Sequence, residues 1–412
     1  MARLRSGSAT LIRDLNRSAI LALVGRRGPV ARVEIARELA LSPATVTVLT
    51  RVLVRDGLIE EVDVAPSRGG RPGILLGLVG NAAHALGAKI AADRLTVVRV
   101  TLDGEPLGIV ETPFDAAAPD AIERLGDALA PLVASAAEGS GRLLGIGLGV
   151  PGVVDDQSGG AVESPVLGWV GLPLGARLQS RFGVPVLVDN DVNTLAVAER
   201  LYGRGRDVDH FVTVTIGRGV GLGIVVAGEV YRGAHGGAGE FGHTRIVDDG
   251  PVCHCGKRGC LEALVSDAAL VQQARRAGVL SDAEGSEHLL ALANSGDVEA
   301  RRIYEDAGAI LGRAVAGLVN ILSPQLVLMG GEGTRAWDHL APGFDAAFRS
   351  DLFEPLRSVV VVADRWDDDK WARGAAALVL GATFAAPLYE RPPNAALRAR
   401  LAASSHTEEG VA

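Results

Sequence analysis

The sequence predicts an α/β protein with an N-terminal helix-turn-helix head and a two-lobed α/β body, and three observations carry that prediction. Residues 10–56 read as helix, short turn and capped helix. From Ala85 onward, apolar strands alternate with helical stretches and end in glycine or polar turns, as in sheets covered by crossover helices. All three cysteines of the 412-residue chain, Cys253, Cys255 and Cys260, cluster downstream of His243.

The head comes first. Leu11, Leu15, Ile20, Leu23 and Val24 recur at helical spacing over residues 10–24. A Gly28-Pro29 break precedes a short helix over Arg32 to Leu39. A third helix runs from Ala44 to about Asp56, started by Ser42 as N-cap and Pro43 at the first helical position and ended by Gly57. In a helix-turn-helix, the second helix of the pair offers its N-terminal residues to base edges in the major groove. This nominates Ser42, Ala44, Thr45 and Thr47 as readers, with Arg51 on a phosphate. The helix is poor in long donors, and a plain three-helix packing module is the competing reading.

An alternating strand over 58–64 leads into SRGGRPG (67–73), a loop resembling an AT-hook. Arg68 and Arg71 sit in it, and Pro72 holds Arg71 extended for a narrow minor groove. The alternative is an ordinary glycine-rich wing. Charge agrees with a DNA-facing head. Residues 1–75 carry 12 Arg and 7 Asp or Glu, a net +5, against −13 for the remainder of a chain whose formal charge is −8. The expected domains are a winged head over 1–78, an effector body over 79–392 and a polar tail over 393–412.

Bulk composition fits a globular chain, with 48% apolar residues. No apolar run reaches the roughly 18 residues of a membrane span, and the basic N-terminus lacks an apolar signal core. A cytoplasmic protein without membrane contact is expected.

The body opens with a β-meander over 85–114, turning at Asp103-Gly104. A helix over 118–138 and a buried strand in RLLGIGLGVPGVVD (142–155) follow. Next come a strand over 185–191 ending in polar residues, a helix from Thr194 to Gly203, and two strands around a glycine turn in 211–230. Helices are expected over 266–277, 287–295, 297–306 and 307–322, then a strand in 320–333 and a closing helix over 371–385. Polar groups gathered at strand ends mark where open α/β sheets bind ligands, and two lobes meeting at a cleft is the simplest arrangement.

Three thiols and an imidazole form a complete tetrahedral set for zinc. His243, Cys253, Cys255 and Cys260 are therefore predicted to hold one structural Zn2+ per chain, since no ligand position is left open for chemistry. His254, between two cysteines, is a rival fourth ligand. A disulfide or buried free thiols is the competing reading.

ESPVLGW (163–169), DNDVNTLAVAE (189–199), GEFGH (239–243) and CHCGKRGCLE (253–262) together resemble the ROK family, which comprises repressors and sugar kinases. The likeness spans nearly the whole chain. With the helix-turn-helix and the GRP triplet at 70–72, it resembles the branch of xylose and N-acetylglucosamine regulators. The resemblance implies a winged helix-turn-helix followed by a two-lobed actin-like, sugar-kinase-like (ribonuclease H-like) ATPase fold. It implies that Asp191 occupies the catalytic-base position of the kinases. It also implies sugar contacts at Asn190, Asp191, Glu240, His243 and Glu262, and more loosely at Gly160 and Ser164. His243 would then lie between sugar and metal.

The phosphate-gripping half of that resemblance is broken. The kinases carry an Asp-x-Gly-x-Thr type turn where this chain has Lys89-Ile90-Ala91-Ala92-Asp93, and a Gly-Thr-Gly loop where it has Gly217-Arg218-Gly219. Val166 stands where relatives often have Asn. Phosphoryl transfer depends on positioning and charge stabilisation, so no kinase activity is expected, and Asp191 becomes a sugar ligand. The reading is a sugar-responsive repressor of carbohydrate genes, binding a palindromic double-stranded operator as a homodimer, with pairing into tetramers left open. The alternatives are an ATP-dependent hexose kinase with an accessory DNA-binding head, and a vestigial cleft controlled by a partner such as a transport protein.

Overall fold

The computed structural model describes residues 3–4, 9–64, 73–139, 141–155, 161–364, 366–367, 369–384, 389–390, 396–397 and 399–401. The expected DNA contacts Arg68 and Arg71 and the expected sugar contact Gly160 lie outside the described residues. The chain forms two compact units, residues 1–206 with 371–412, and residues 207–370.

After β1 (Arg3–Leu4), the first unit begins with the head: α1 (Ala9–Arg27), β2 (Val30–Ala31), α2 (Arg32–Glu38), α3 (Pro43–Arg55), β3 (Ile59–Val64) and β4 (Ile74–Leu78). Ser42 caps α3 as expected, its hydroxyl accepting the Thr45 N–H at 3.1 Å, with Pro43 in the first turn. Strands β2 and β3 flank β4 in an antiparallel sheet. Ile20, Leu23, Val24, Ile35, Val46, Leu53, Leu58 and Leu76 are buried together beneath these elements. The head is a winged helix-turn-helix.

The remainder of the unit comprises β5 (Ala83–Ile90), β6 (Arg94–Thr101), β7 (Pro106–Pro113), α4 (Ala121–Glu138), β8 (Arg142–Val150), β9 (Val153–Val154), β10 (Val162–Ser164), β11 (Trp169–Leu172), α5 (Leu174–Phe182), β12 (Val186–Asn190) and α6 (Asp191–Leu201). Its main sheet has the order β7-β6-β5-β8-β12. The first three strands form the expected meander, while β8 and β12 run parallel to β5 through helical crossovers.

The second unit comprises β13 (Phe211–Ile216), β14 (Val220–Val226), β15 (Glu229–Val230), α7 (Glu262–Val265), α8 (Asp267–Arg276), α9 (Ser286–Ser295), α10 (Val298–Leu322), β16 (Leu326–Gly330), α11 (Trp337–Asp351) and β17 (Val360–Ala363). Its sheet repeats the plan, in the order β15-β14-β13-β16-β17 with β16 and β17 parallel to β13. A meander of three strands followed by two parallel strands, occurring once in each unit, is the actin-like, sugar-kinase-like architecture. Then α12 (Lys370–Phe384) and β18 (Tyr389–Glu390) return the chain to the first unit. Among the described residues, no helix is long and apolar enough to cross a membrane.

Small residues decide how α12 seats. A Cβ on Gly147 would stand 1.8 Å from the Ala375 carbonyl oxygen, so only glycine lets β8 approach the Ala-rich face of α12 this closely.

Four expectations differ from the structure. The helix expected from Thr194 begins at Asp191, because the Asn190 side chain caps it by accepting the Val192 and Asn193 N–H groups at 2.9 and 3.3 Å. The helices expected over 297–306 and 307–322 are one, α10, running through Gly308. No element was expected between 156 and 184 or between 334 and 370, yet β10, β11 and α5 lie in the first stretch and α11 and β17 in the second. Finally, Leu397 and Leu401, in the segment expected to be a polar tail, are buried against the first unit's core.

Candidate effector and metal sites and the DNA-reading helix

In the first unit, parallel pairing of β12 with β8 brings Asn190 level with Val150 at the strand ends, and α6 starts at Asp191. The Asn190 amide is committed locally: its oxygen caps α6, and its nitrogen donates to the Gly152 carbonyl at 2.9 Å. Asp189 is buried and accepts from Asn190 N and Asn193 Nδ2, so it braces the turn. Ser164 is also buried, with its hydroxyl accepting the Leu167 N–H at 3.2 Å.

Asp191 keeps one oxygen on its own Val192 N–H, at 2.9 Å. Its other oxygen is ion-paired with the ammonium of Lys89, at the end of β5. The ammonium also lies 4.8 Å from the centroid of the Trp371 ring. The pair joins the residue expected at the kinase base position to the residue expected to replace the kinases' first phosphate-loop carboxylate. Spacing along the chain gave no sign of this pair, whose members are 102 residues apart, nor of Trp371 above it.

In the second unit, the four predicted metal ligands converge. One ligand atom from each of His243, Cys253, Cys255 and Cys260 lies within 4.8 Å of the others. Cys255 Sγ and Cys260 Sγ are 3.7 Å apart, and Cys253 Sγ is 3.5 Å from His243 Nδ1. Tetrahedral zinc with ordinary bond lengths needs S···S edges of about 3.8 Å and S···N edges of about 3.6 Å, so the spacing fits the ion. At 3.7 Å the sulfurs are also too far apart for a disulfide. Burial pushes the Cys253 thiol up to about 12, whereas the Lys257 backbone N–H lowers that of exposed Cys255. A cation at the centre would replace these protons.

The rival ligand His254 is turned elsewhere. Its Nδ1 is 2.9 Å from Glu262 Oε1, while Glu262 Oε2 accepts the Val220 N–H at 3.0 Å. His243 presents Nδ1 to the sulfurs, and its Nε2 lies 3.8 Å from Glu240 Oε2. One imidazole can therefore serve a metal on one side and a polar ligand on the other, as expected for a residue between sugar and metal.

On α3, the core face is Val46, Leu49, Thr50 and Leu53, and the outer face carries Ala44, Val48, Arg51 and Arg55. Of the expected readers, Ser42 and Ala44 are exposed and Thr45 and Thr47 are half-buried.

The ROK family profile matches residues 86–382, and a winged helix-turn-helix DNA-binding profile matches residues 13–60. The chain belongs to the ROK family. The DNA-binding transcriptional dual regulator NagC of Escherichia coli K12 is 32% identical, over 90% of this chain and 94% of its own. The xylose repressor of Caldicellulosiruptor bescii is 29% identical, over 86% of this chain and 89% of its own. A crystal structure of a ROK family transcriptional regulator, a homologue of E. coli Mlc, superposes with a TM-score of 0.81 at 29% identity, covering 95% of this chain and 99% of that one. Full-length similarity to regulators, together with the winged head, makes this ROK protein a transcription regulator and not a sugar kinase.

The second phosphate loop agrees with that conclusion. In this ROK chain, Gly217-Arg218-Gly219 joins β13 to β14, and a Cβ on Gly217 would meet Glu332 Oε2 at 2.7 Å. The half-buried Asp267 donates its N–H to the Gly217 carbonyl at 2.8 Å. Burial raises the Asp267 carboxyl and Glu332 raises it further, while Arg218 and Arg335 oppose the shift. Nucleotide phosphates placed at this loop would meet the Asp267 and Glu332 carboxylates as well as the Arg218 and Arg335 guanidiniums. Gly219 is needed for another reason: a Cβ there would stand 2.8 Å from Glu262 Oε2.

Proposed function

We propose that this ROK regulator is a cytoplasmic, sugar-responsive repressor of carbohydrate genes that binds a palindromic operator as a homodimer. The observation that carries the reading is the Lys89–Asp191 ion pair in a chain bearing a winged head. The ammonium competes with a sugar hydroxyl for the oxygen that a kinase would use as general base, while the remaining lone pairs of the carboxylate can still accept hydrogen bonds from that hydroxyl.

The candidate hydroxyl ligands in the first unit are Asp191 and the remaining N–H of the Asn190 amide, with Ser164 as a looser candidate; Gly160, the other looser candidate, lies outside the described residues. In the second unit they are Glu240, His243 Nε2 and Glu262. His243 Nδ1, Cys253, Cys255 and Cys260 would hold zinc. Four protein ligands leave no open position, so the ion supplies rigidity to Glu240, His243 and Glu262 rather than reactivity. Relatives named for N-acetylglucosamine and for xylose are about equally similar, so overall likeness supports a monosaccharide or derivative without choosing one. Ser42, Ala44, Thr45, Thr47 and Arg51, with Arg68 and Arg71, are the proposed DNA contacts.

The test is operator binding by fluorescence anisotropy across a panel of monosaccharides and their phosphates, beside a coupled ADP-release assay. One ligand should change the operator affinity, because an effector must bind the two states unequally to shift them. Hexose-dependent ADP release well above background would overturn the reading. No response to any sugar would transfer control to a protein partner such as a transport component.

A further inference from the structure

The reading helix carries an apolar residue where a polar reader is expected. Val48 sits in the second turn of α3, is 59% exposed, and shares its face with Ala44, Arg51 and Arg55 at spacings of four, three and four residues. Valine is a poor helix former, and an exposed one contributes no burial. Local stability gives no reason for it.

The hydroxyls nearby already make hydrogen bonds within the helix and its cap, which leaves them chiefly as acceptors toward DNA. Ser42 Oγ accepts the Thr45 N–H and is 2.8 Å from Thr45 Oγ1; Thr47 Oγ1 donates to the Pro43 carbonyl at 2.8 Å, and buried Thr50 donates to Val46 at 2.8 Å. The outward face is thus apolar at its N-terminal half, through Ala44 and Val48, and cationic at its C-terminal half, through Arg51 and Arg55. Arg55 is braced by Asp56 at 2.9 Å. In the major groove the N-terminal half of such a helix meets base edges, and the phosphates take the arginines. The only apolar group on a base edge there is the 5-methyl of thymine.

We propose that Val48 reads a thymine 5-methyl group, so that each operator half-site carries a thymine at one fixed position facing the second turn of α3. This rests on the placing of α3 in the major groove. Ala44 adds a smaller apolar contact one turn earlier.

The test uses the full-length protein and a duplex operator selected by it from random sequence. Thymines are replaced one at a time by uracil, which lacks only the methyl, and affinity is read by anisotropy. At one position per half-site, uracil should weaken binding about fourfold, the worth of one buried methyl. In Val48→Ala that penalty should vanish while the thymine duplex still binds. Alanine is the better helix former and the site is exposed, so the variant stays folded, with its thermal midpoint as the check.

No uracil penalty at any position, an undiminished penalty in Val48→Ala, or loss of binding to both duplexes in that variant would each overturn the proposal. Arg51→Ala separates it from the placing of α3. Unchanged affinity would remove α3 from the groove altogether. Weakened binding without any uracil penalty would keep α3 there and remove only the methyl contact.

Discussion

Lys89 and Asp191 form an ion pair in which the ammonium, standing over Trp371, closes on the carboxylate at the start of α6. Both side chains are largely buried, at 15% and 12% exposed. A buried pair has little net worth as a pair, but removing one partner strands the other charge. Lys89→Met should therefore destabilise the protein by about 3 kcal/mol, and Lys89→Met/Asp191→Asn should recover most of that. Additive losses in chemical denaturation would mean that the two groups do not interact. Neither variant should release ADP with a hexose, because Gly217-Arg218-Gly219 remains unsuited to phosphates.

The sulfur and imidazole spacing leads to a metal prediction. Wild-type protein purified without chelator should carry one zinc per chain by elemental analysis, and Cys255→Ser or Cys260→Ser should carry none. Cys260 is buried and Cys255 exposed, yet both should lower the thermal midpoint, since each removes a ligand rather than a packing contact. If Glu240, His243 and Glu262 contact the effector, the response to sugar should vanish with the ion. A sugar response that survives metal loss would sever the two sites.

What could be read from the chain depended on the range of the interaction. Ser42, Pro43 and Gly57 act on their immediate neighbours, so both ends of α3 were legible, and the Cys253–Cys260 cluster was legible because its ligands are close in sequence. The start of α6 was expected three residues late, at Thr194, although Asn190 caps it from the position just before Asp191. Pro342 and Gly343 are two poor helix formers inside α11. Their cost is offset by burial of Leu340, Phe344, Ala347 and Phe348. The Lys89–Asp191 pair was not legible, because only the parallel packing of β5, β8 and β12 brings those strand ends together.

His84 gives a pH dependence with a definite sign. It is buried in β5, its Nε2 is 3.0 Å from the Ala136 carbonyl, and burial, aided by nearby Arg99, lowers its pKa below 6.5. The folded state therefore holds fewer protons than the unfolded state in that range. Stability is full above about pH 6.5 and falls as acid protonates the unfolded imidazole first. His84→Gln can still donate to Ala136 but does not titrate. Its thermal midpoint should fall less than that of wild type between pH 7.5 and 5.5. Parallel curves would show that His84 has no part in the acid loss.

Two glycines of α10 should respond to alanine with opposite signs. Gly308 is buried against α11, where an added Cβ would stand 2.0 Å from the Leu340 carbonyl oxygen; the backbone there cannot yield as a side-chain tip would. Gly317 is exposed on the same helix with nothing within 4 Å of its Cβ position. In both places alanine gains about 1 kcal/mol of helix propensity. At Gly317 that gain stands alone, so Gly317→Ala should raise the thermal midpoint by a few degrees. At Gly308 overpacking of about 1–3 kcal/mol and the separation of α10 from α11 outweigh it, so Gly308→Ala should lower the midpoint. Equal shifts in scanning calorimetry would mean that α10 and α11 do not approach backbone to backbone, and that the long helix continues through Gly308 on propensity alone.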